Sequence, residues 1–282
     1  MQSVVITGAS TGIGFAAAKL LLARGFRVFG SVRKQADADR LTSEFGANFT
    51  PLVFDVTDEA AVFAAAREVR AALAGETLAG LVNNAGIAVA GPLLEISSDQ
   101  FRKQMEVNVI GPVIATQAFG PLLGSDPSLK GRKGRIVMIS SVAGKSGNPL
   151  ASPYSASKHA IEGLSESLRR ELMLWGIDVI IVAPGAIATP IWDKAEQADL
   201  TQYSSTPYAA SLNAVRDYML ANGRKGLEPE QVGKVVWRAL TRAKPKTRYV
   251  ITPDPLQNLL ANTLPKRMVD RMIAKRLGLL SK

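Results

Sequence analysis

Val4-Val5-Ile6-Thr7-Gly8-Ala9-Ser10-Thr11-Gly12-Ile13-Gly14 opens the chain and runs directly into an apolar helical stretch, residues 15–24. The short apolar run reads as a buried parallel strand. The glycines read as a tight turn, because glycine lets the backbone bend sharply and approach a ligand closely. A helix opening near Gly12 points free N–H groups and its positive dipole end at that turn, which suits a phosphate. The spacing is G-x-x-x-G-x-G, not the commoner G-x-G-x-x-G. Strand, glycine turn and helix predict the first unit of a dinucleotide-binding sheet.

The same rhythm continues outward. Strand-like runs fall at 3–7, 27–32, 50–54, 78–83, 134–140, 177–183 and 247–251. Helical patterns lie between them, at 12–24, 36–45, 58–74, 99–122, 153–175, 206–222 and 228–243. This alternation predicts an α/β fold, a doubly wound parallel sheet of about seven strands with helices on both faces. A single catalytic domain is expected over 1–252, with an irregular insertion at 190–226. Residues 253–282 read as a proline-bounded, basic helical extension packed on the same domain.

Composition narrows the chemistry. The 282 residues are enough for one substantial core. There is no cysteine and one histidine, His159, so neither a disulfide framework nor a thiolate or multi-histidine metal site is expected. The net charge of +10 suits a phosphate-rich ligand. The cations lack the aromatic interleaving of a nucleic-acid surface, so no nucleic-acid partner is expected. No apolar run is long enough to span a membrane, and the chain begins with a structural strand, so a cytoplasmic protein is expected.

In Y-S-A-S-K, Tyr154 and Lys158 stand four apart, and Ser141 lies thirteen residues upstream. A helix starting near Ser152 brings Tyr154 and Lys158 onto one face. A neighbouring cation favours phenolate and makes the tyrosine a better proton donor. A serine hydroxyl alongside is suited to hold a substrate oxygen.

The motifs T-G-x-x-x-G-I-G, N-N-A-G (Asn83 to Gly86), I-S-S (Ile139 to Ser141), Y-x-x-x-K and P-G (Pro184, Gly185) occur in this order. Together they resemble the short-chain dehydrogenase/reductase family in its single-domain Rossmann branch, closely over about residues 3 to 190. The resemblance implies an NADP-dependent carbonyl reductase or alcohol dehydrogenase acting on a small carbonyl or alcohol. Tyr154 is then the proton donor and acceptor, Lys158 lowers its pKa and holds the ribose, and Ser141 polarises the carbonyl. Asn108 is implied to hold a water that links the lysine to solvent. Ser141 rather than Ser140 is chosen by its spacing and by strand alternation.

The resemblance also implies a cofactor site. Gly8, Ser10, Thr11, Gly12, Ile13 and Gly14 cradle the phosphates, Asp55 and Val56 border the adenine, and Asn83, Ala85 and Gly86 frame the ribose, Asn83 being partly structural. Pro184, Gly185, Ile187 and Thr189 pack on the nicotinamide, and Tyr154 and Lys158 complete the site. Val32 stands where NAD enzymes of the family usually carry aspartate, and Arg33 follows it, so NADP is expected and NAD is the second choice. An NAD-preferring hydroxysteroid-type dehydrogenase is the alternative, and a non-catalytic NADP-sensing protein the rival.

The insertion carries Trp192, Tyr203, Tyr208, Leu212, Tyr218 and Met219, an apolar set that either lines a substrate pocket or packs the insertion down. Trp192 is the expected substrate contact there, beside Ser141 and Tyr154. Stretches 99–122 and 153–175 are implied to pair in a homodimer or homotetramer. Met268, Val269, Met272, Ile273 and Leu277 recur at helical spacing among cations, as a packed helix, an oligomer contact or a membrane-surface helix.

Overall fold

The computed structural model describes residues 1–197 and 199–280, apart from the side chains of Lys194 and Ala195. Seven parallel strands form one sheet: β1 (Ser3–Ile6), β2 (Arg27–Val32), β3 (Phe49–Val53), β4 (Gly80–Asn83), β5 (Arg135–Ile139), β6 (Asp178–Pro184) and β7 (Arg248–Ile251). Their order is β3-β2-β1-β4-β5-β6-β7. The chain reverses direction across the sheet between β1 and β4, and ligands of such sheets sit at the carboxyl ends of the strands beside that switch. Pro51 lies in edge strand β3, where a missing N–H costs no ladder bond on the open side.

Alternation along each strand sends successive residues to opposite layers. Val5, Leu81, Ile136 and Met138 pack with Val62, Val69, Ile114, Phe119 and Ile161. These belong to α3 (Glu59–Ala72), α5 (Gly111–Phe119) and α6 (Ser152–Glu171). Val4, Ile6, Val82, Val137 and Val182 pack with Ala17, Leu21, Leu41, Val232 and Val236. Those come from α1 (Gly12–Ala23), α2 (Gln35–Phe45) and α9 (Pro229–Thr241).

Two readings need correction. The stretch 99–122 is not one regular helix. It is α4 (Ser98–Met105), a π turn over Glu106–Ile110, α5 and a closing 3-10 turn at Gly120–Leu123. At the π turn the Gly111 N–H donates to the Glu106 carbonyl, five residues back. Inserted π turns of this kind interrupt α-helices frequently at functional sites.

The insertion 190–226 is likewise more regular than expected, with helical turns in addition to the helix anticipated at 206–222. It holds α7 (Ile191–Glu196), a 3-10 turn at Thr201–Tyr203 and α8 (Ala209–Arg224). Arg224 pairs with Glu196 across the two helices. Tyr203, Leu212 and Val215 make a small separate core with Leu150 and Leu277. The last of these comes from α11 (Lys266–Leu277), which follows α10 (Pro255–Thr263). The Ser211 hydroxyl donates to the Gly278 carbonyl, and the Arg276 guanidinium lies 4.3 Å from the Tyr218 ring centre. These contacts tie the far end of the C-terminal extension to the insertion.

Candidate active site

The glycine turn is held by its neighbours. Gly8 and Gly12 adopt positive φ values of 69° and 59°, which favour glycine. A Cβ on Gly14 would lie 2.2 Å from the Gly8 carbonyl oxygen, so α1 can leave β1 this sharply only without a side chain there. Ser31 on β2 accepts from the Gly8 N–H at 2.9 Å. Asn84 donates to the Thr7 and Gly8 carbonyls, while Thr7 Oγ1 accepts from the N–H groups of Asn84 and Ala85. Arg40 on α2 donates to the Ser10 carbonyl at 2.8 Å. At the mouth of α1, Thr11 is the N-cap residue but its side chain makes no capping bond, so it leaves the first-turn N–H groups for a ligand. Ile13, in that first turn, packs instead on the core of the α1 layer, and Thr189 lies against Gly12.

The two asparagines of N-N-A-G therefore differ. Asn83 faces away from the glycine turn and donates to Thr116 Oγ1 and Met138 Sδ. Asn84, not singled out from sequence, stitches the turn to β4. Its only sequence signal was its place inside the motif. Ala85 and Gly86 do border the cleft, Ala85 against Gly8 and Gly86 against Asn108.

At the adenosine end, Val32 is buried and apolar while Arg33 and Lys34 are exposed. Asp55 Oδ1 accepts from the Thr57 N–H and hydroxyl, which makes it a turn-holding residue. Val56 is buried against Gly111. After β6, the Gly185 N–H donates to the Ile251 carbonyl, and Ile187 is buried where it bridges to Leu227.

Ser141, Tyr154 and Lys158 converge at the carboxyl end of β5. The Ser141 hydroxyl accepts from the Ala143 N–H at 3.1 Å and lies 3.3 Å from the Pro184 carbonyl. Ser140 goes the other way and donates to Glu162 at 2.7 Å, so the alternation argument separates the two hydroxyls. The Lys158 ammonium donates to the Ile139 carbonyl at 2.9 Å and stands 5.7 Å from the Tyr154 ring centre.

The electrostatics differ from the sequence expectation. Burial pushes the Tyr154 phenol above its ordinary 10.0, and its hydrogen bond with Ser141 only partly opposes this. Burial also lowers Lys158 to about 8, against the raising effect of the Glu162 carboxylate. Burial is therefore the larger influence on both groups.

Asn108 lies in the π turn. Its side chain both accepts from the Ile87 N–H and donates to the Ile87 carbonyl, and it reaches Ser157 Oγ at 3.1 Å. Ser157 in turn donates to the Tyr154 carbonyl. Gln104, four residues earlier and fully buried, grips Val89 and Ile87 in the same way. Sequence reasoning missed Gln104, although the i, i+4 pairing with Asn108 was there to be read. It also missed Glu162, one helical turn beyond Lys158. Glu162 is buried, takes the Ser140 hydroxyl, and forms a forked ion pair with Arg248 of β7.

Trp192 is placed within the insertion. Its indole N–H donates to the Ile187 carbonyl at 2.7 Å and its ring covers Gly223 of α8. Tyr203 is buried, and its hydroxyl lies against Gly91.

The sequence model described as short chain dehydrogenase matches residues 2–200. The chain is 40% identical over 278 residues to an "NADPH-dependent 3-dehydrocapnine reductase" of Ornithobacterium rhinotracheale, covering 98% of each. Among solved structures, a short-chain dehydrogenase from Streptomyces avermitilis superposes with a TM-score of 0.75 at 25% identity, over 99% of this chain and 96% of that one. A Burkholderia phymatum short-chain dehydrogenase/reductase in complex with NAD has the same fold, with a TM-score of 0.79 at 24% identity over 96% and 95% of the two chains. With its parallel sheet, glycine turn and Ser141–Tyr154–Lys158 cluster, the chain belongs to the short-chain dehydrogenase/reductase family of oxidoreductases.

Proposed function

We propose that the protein is an NADP(H)-dependent carbonyl reductase that converts an apolar ketone or aldehyde to the alcohol, and the reverse at high alcohol. The observation that carries this reading is the convergence of Ser141, Tyr154 and Lys158, together with the N-terminus of α1, where Thr11 makes no side-chain capping bond. The residues fit a dinucleotide. Three glycines sit where a Cβ would strike Ala85, Thr189 or the turn itself, and the apolar Val32 followed by two exposed cations suits a 2′-phosphate. Gly8, Ser10, Thr11, Gly12, Ile13 and Gly14 would hold the phosphates and Lys158 the ribose, and the nicotinamide supplies the hydride. The reductase name of the Ornithobacterium relative supports both the cofactor and the direction.

Tyr154 gives the proton to the carbonyl oxygen, which the Ser141 hydroxyl positions. The phenol holds its proton at neutral pH; burial raises it above its ordinary 10.0, so proton transfer needs the opposing hydrogen bond with Ser141 and the Lys158 charge. Asn108, through Ser157, fixes the helix turn that carries Tyr154.

The first test is cofactor choice. Arg33 is expected to pair with a 2′-phosphate through parallel hydrogen bonds, giving roughly a 10- to 100-fold preference for NADPH over NADH. The Val32→Asp, Arg33→Ala double variant should reverse it, because aspartate repels the phosphate and accepts from a free hydroxyl. The ratio of kcat/KM with the two cofactors decides. A wild-type ratio at or below one overturns the NADP assignment.

The second test is pH. Lys158 is protonated below about 8 and neutral above it. If catalysis uses the cation, kcat/KM for NADPH, which reports groups of the free protein, falls as pH rises through that value. Glu162→Gln removes the charge that raises the lysine, so the midpoint should move down. A profile flat across this range would exclude a role for the Lys158 charge.

A further inference from the structure

The C-terminal pair of helices presents an apolar surface that the rest of the chain does not cover. Leu256, Leu259 and Leu260 lie at i, i+3 and i+4 on one face of α10, and Leu256 and Leu259 are 65% and 57% exposed. None of the nine residues of α10 is buried. On α11, Val269, Ile273 and Leu277 turn inward, Ile273 and Leu277 joining the small core under the insertion, while Met268 and Met272 face out, Met272 at 60%. Water-exposed leucines at helical spacing are unfavourable unless something apolar takes them.

Charge identifies the occupant. Between residues 253 and 280, Lys266, Arg267, Arg271, Lys275 and Arg276 oppose only Asp254 and Asp270, on a chain whose net charge is +10. A second copy of the chain would bring this excess against itself. An anionic lipid surface would be attracted by it. Exposed leucines and methionines flanked by lysine and arginine are the composition of helices that lie in a membrane interface. None of the described helices is long and apolar enough to cross a membrane, so such contact would be peripheral.

We propose that α10 and α11 form a peripheral docking element for anionic membranes, inserting Leu256, Leu259, Leu260, Met268 and Met272 with the cations at headgroup level. The position gives this contact a purpose. A groove of about 910 Å3 runs from Pro255 and Leu259 of α10 and Lys266 of α11, past Val250 and Leu227 to Val142 and Lys145. Val142 directly follows Ser141. A membrane-resident amphiphile therefore has a partly apolar route from the docked face toward the catalytic serine, while α11 holds the insertion through Ser211 and Arg276.

The test is flotation of the full-length protein with vesicles of phosphatidylcholine alone or with about one third phosphatidylglycerol, at low and high salt. The protein should float with the anionic vesicles at low salt and be released by salt. Lys266→Gln with Arg267→Gln should weaken partitioning roughly 30-fold, from two lost surface charges. Leu256→Ser, Leu259→Ser and Leu260→Ser together should weaken it at least about tenfold. These side chains are exposed, so cofactor fluorescence titration and the melting temperature of both variants should match wild type and exclude misfolding. No flotation, or flotation equal in wild type and variants, overturns the proposal. So does sedimentation showing that the leucine variant turns a dimer into a monomer, since the face would then be a contact between copies.

Discussion

Tyr154→Phe should reduce turnover by about 100-fold or more with any good carbonyl substrate, while cofactor binding survives. Phenylalanine keeps the ring that packs beside Lys158 but removes the only phenol in the cluster. The Tyr154 phenol is protonated at neutral pH, so wild-type reduction begins with the proton in place. The Ser141 hydroxyl is already engaged with the Ala143 N–H and the Pro184 carbonyl, so it orients rather than replaces the acid. Pre-steady-state reduction and a titration of NADPH fluorescence separate the two effects. Near-wild-type turnover in Tyr154→Phe would remove Tyr154 as the acid, and loss of cofactor binding would make its role one of packing.

The second large effect is on stability. Arg248→Ala leaves the buried Glu162 carboxylate with the Ser140 hydroxyl and only the more distant Lys158 charge, and breaking a buried ion pair in this way costs about 3 kcal/mol or more. For a chain of this size that lowers the melting temperature by about 5 °C or more. Glu162→Leu with Arg248→Met should recover most of the loss, because the desolvation cost of both charges disappears together. The pair also positions the site. Ser140 precedes Ser141, and Glu162 lies one helical turn from Lys158, so Arg248→Ala should lower kcat more than it raises KM at temperatures where the variant is folded. Thermal unfolding followed by circular dichroism gives the first number and initial rates the second. A melting temperature within about 2 °C of wild type would mean that solvent reaches Glu162 and screens it.

Local geometry explains what was legible in the sequence. The turn from Thr7 to Gly14 could be read because φ values near 60–70° and the lack of room at Gly14 demand glycine at fixed spacing. The succession of strand and helix predicted a sheet covered on both faces, and the period of two along a strand separated Ser140 from Ser141. Tyr154 and Lys158 converge because four residues make one helical turn. In each case the relevant atoms lie within a few residues of one another, so chain geometry alone places them.

Long-range packing decided the rest. Glu162 meets Arg248 across 86 residues and Arg40 meets Ser10 across 30, and no local period encodes either contact. Asn83 and Asn84 are the same residue type in adjacent positions, yet the neighbours at the end of β4 send one to Thr116 and Met138 and the other to the glycine turn. Trp192 covers Gly223, 31 residues on, and donates to the Ile187 carbonyl, a placement that only the folded insertion sets. The π turn at Asn108 is set by the Ile87 and Ser157 partners that its side chain reaches. The phenol and ammonium pKa values also depend on the folded protein, because the burial that shifts them exists only once the chain has folded around these side chains.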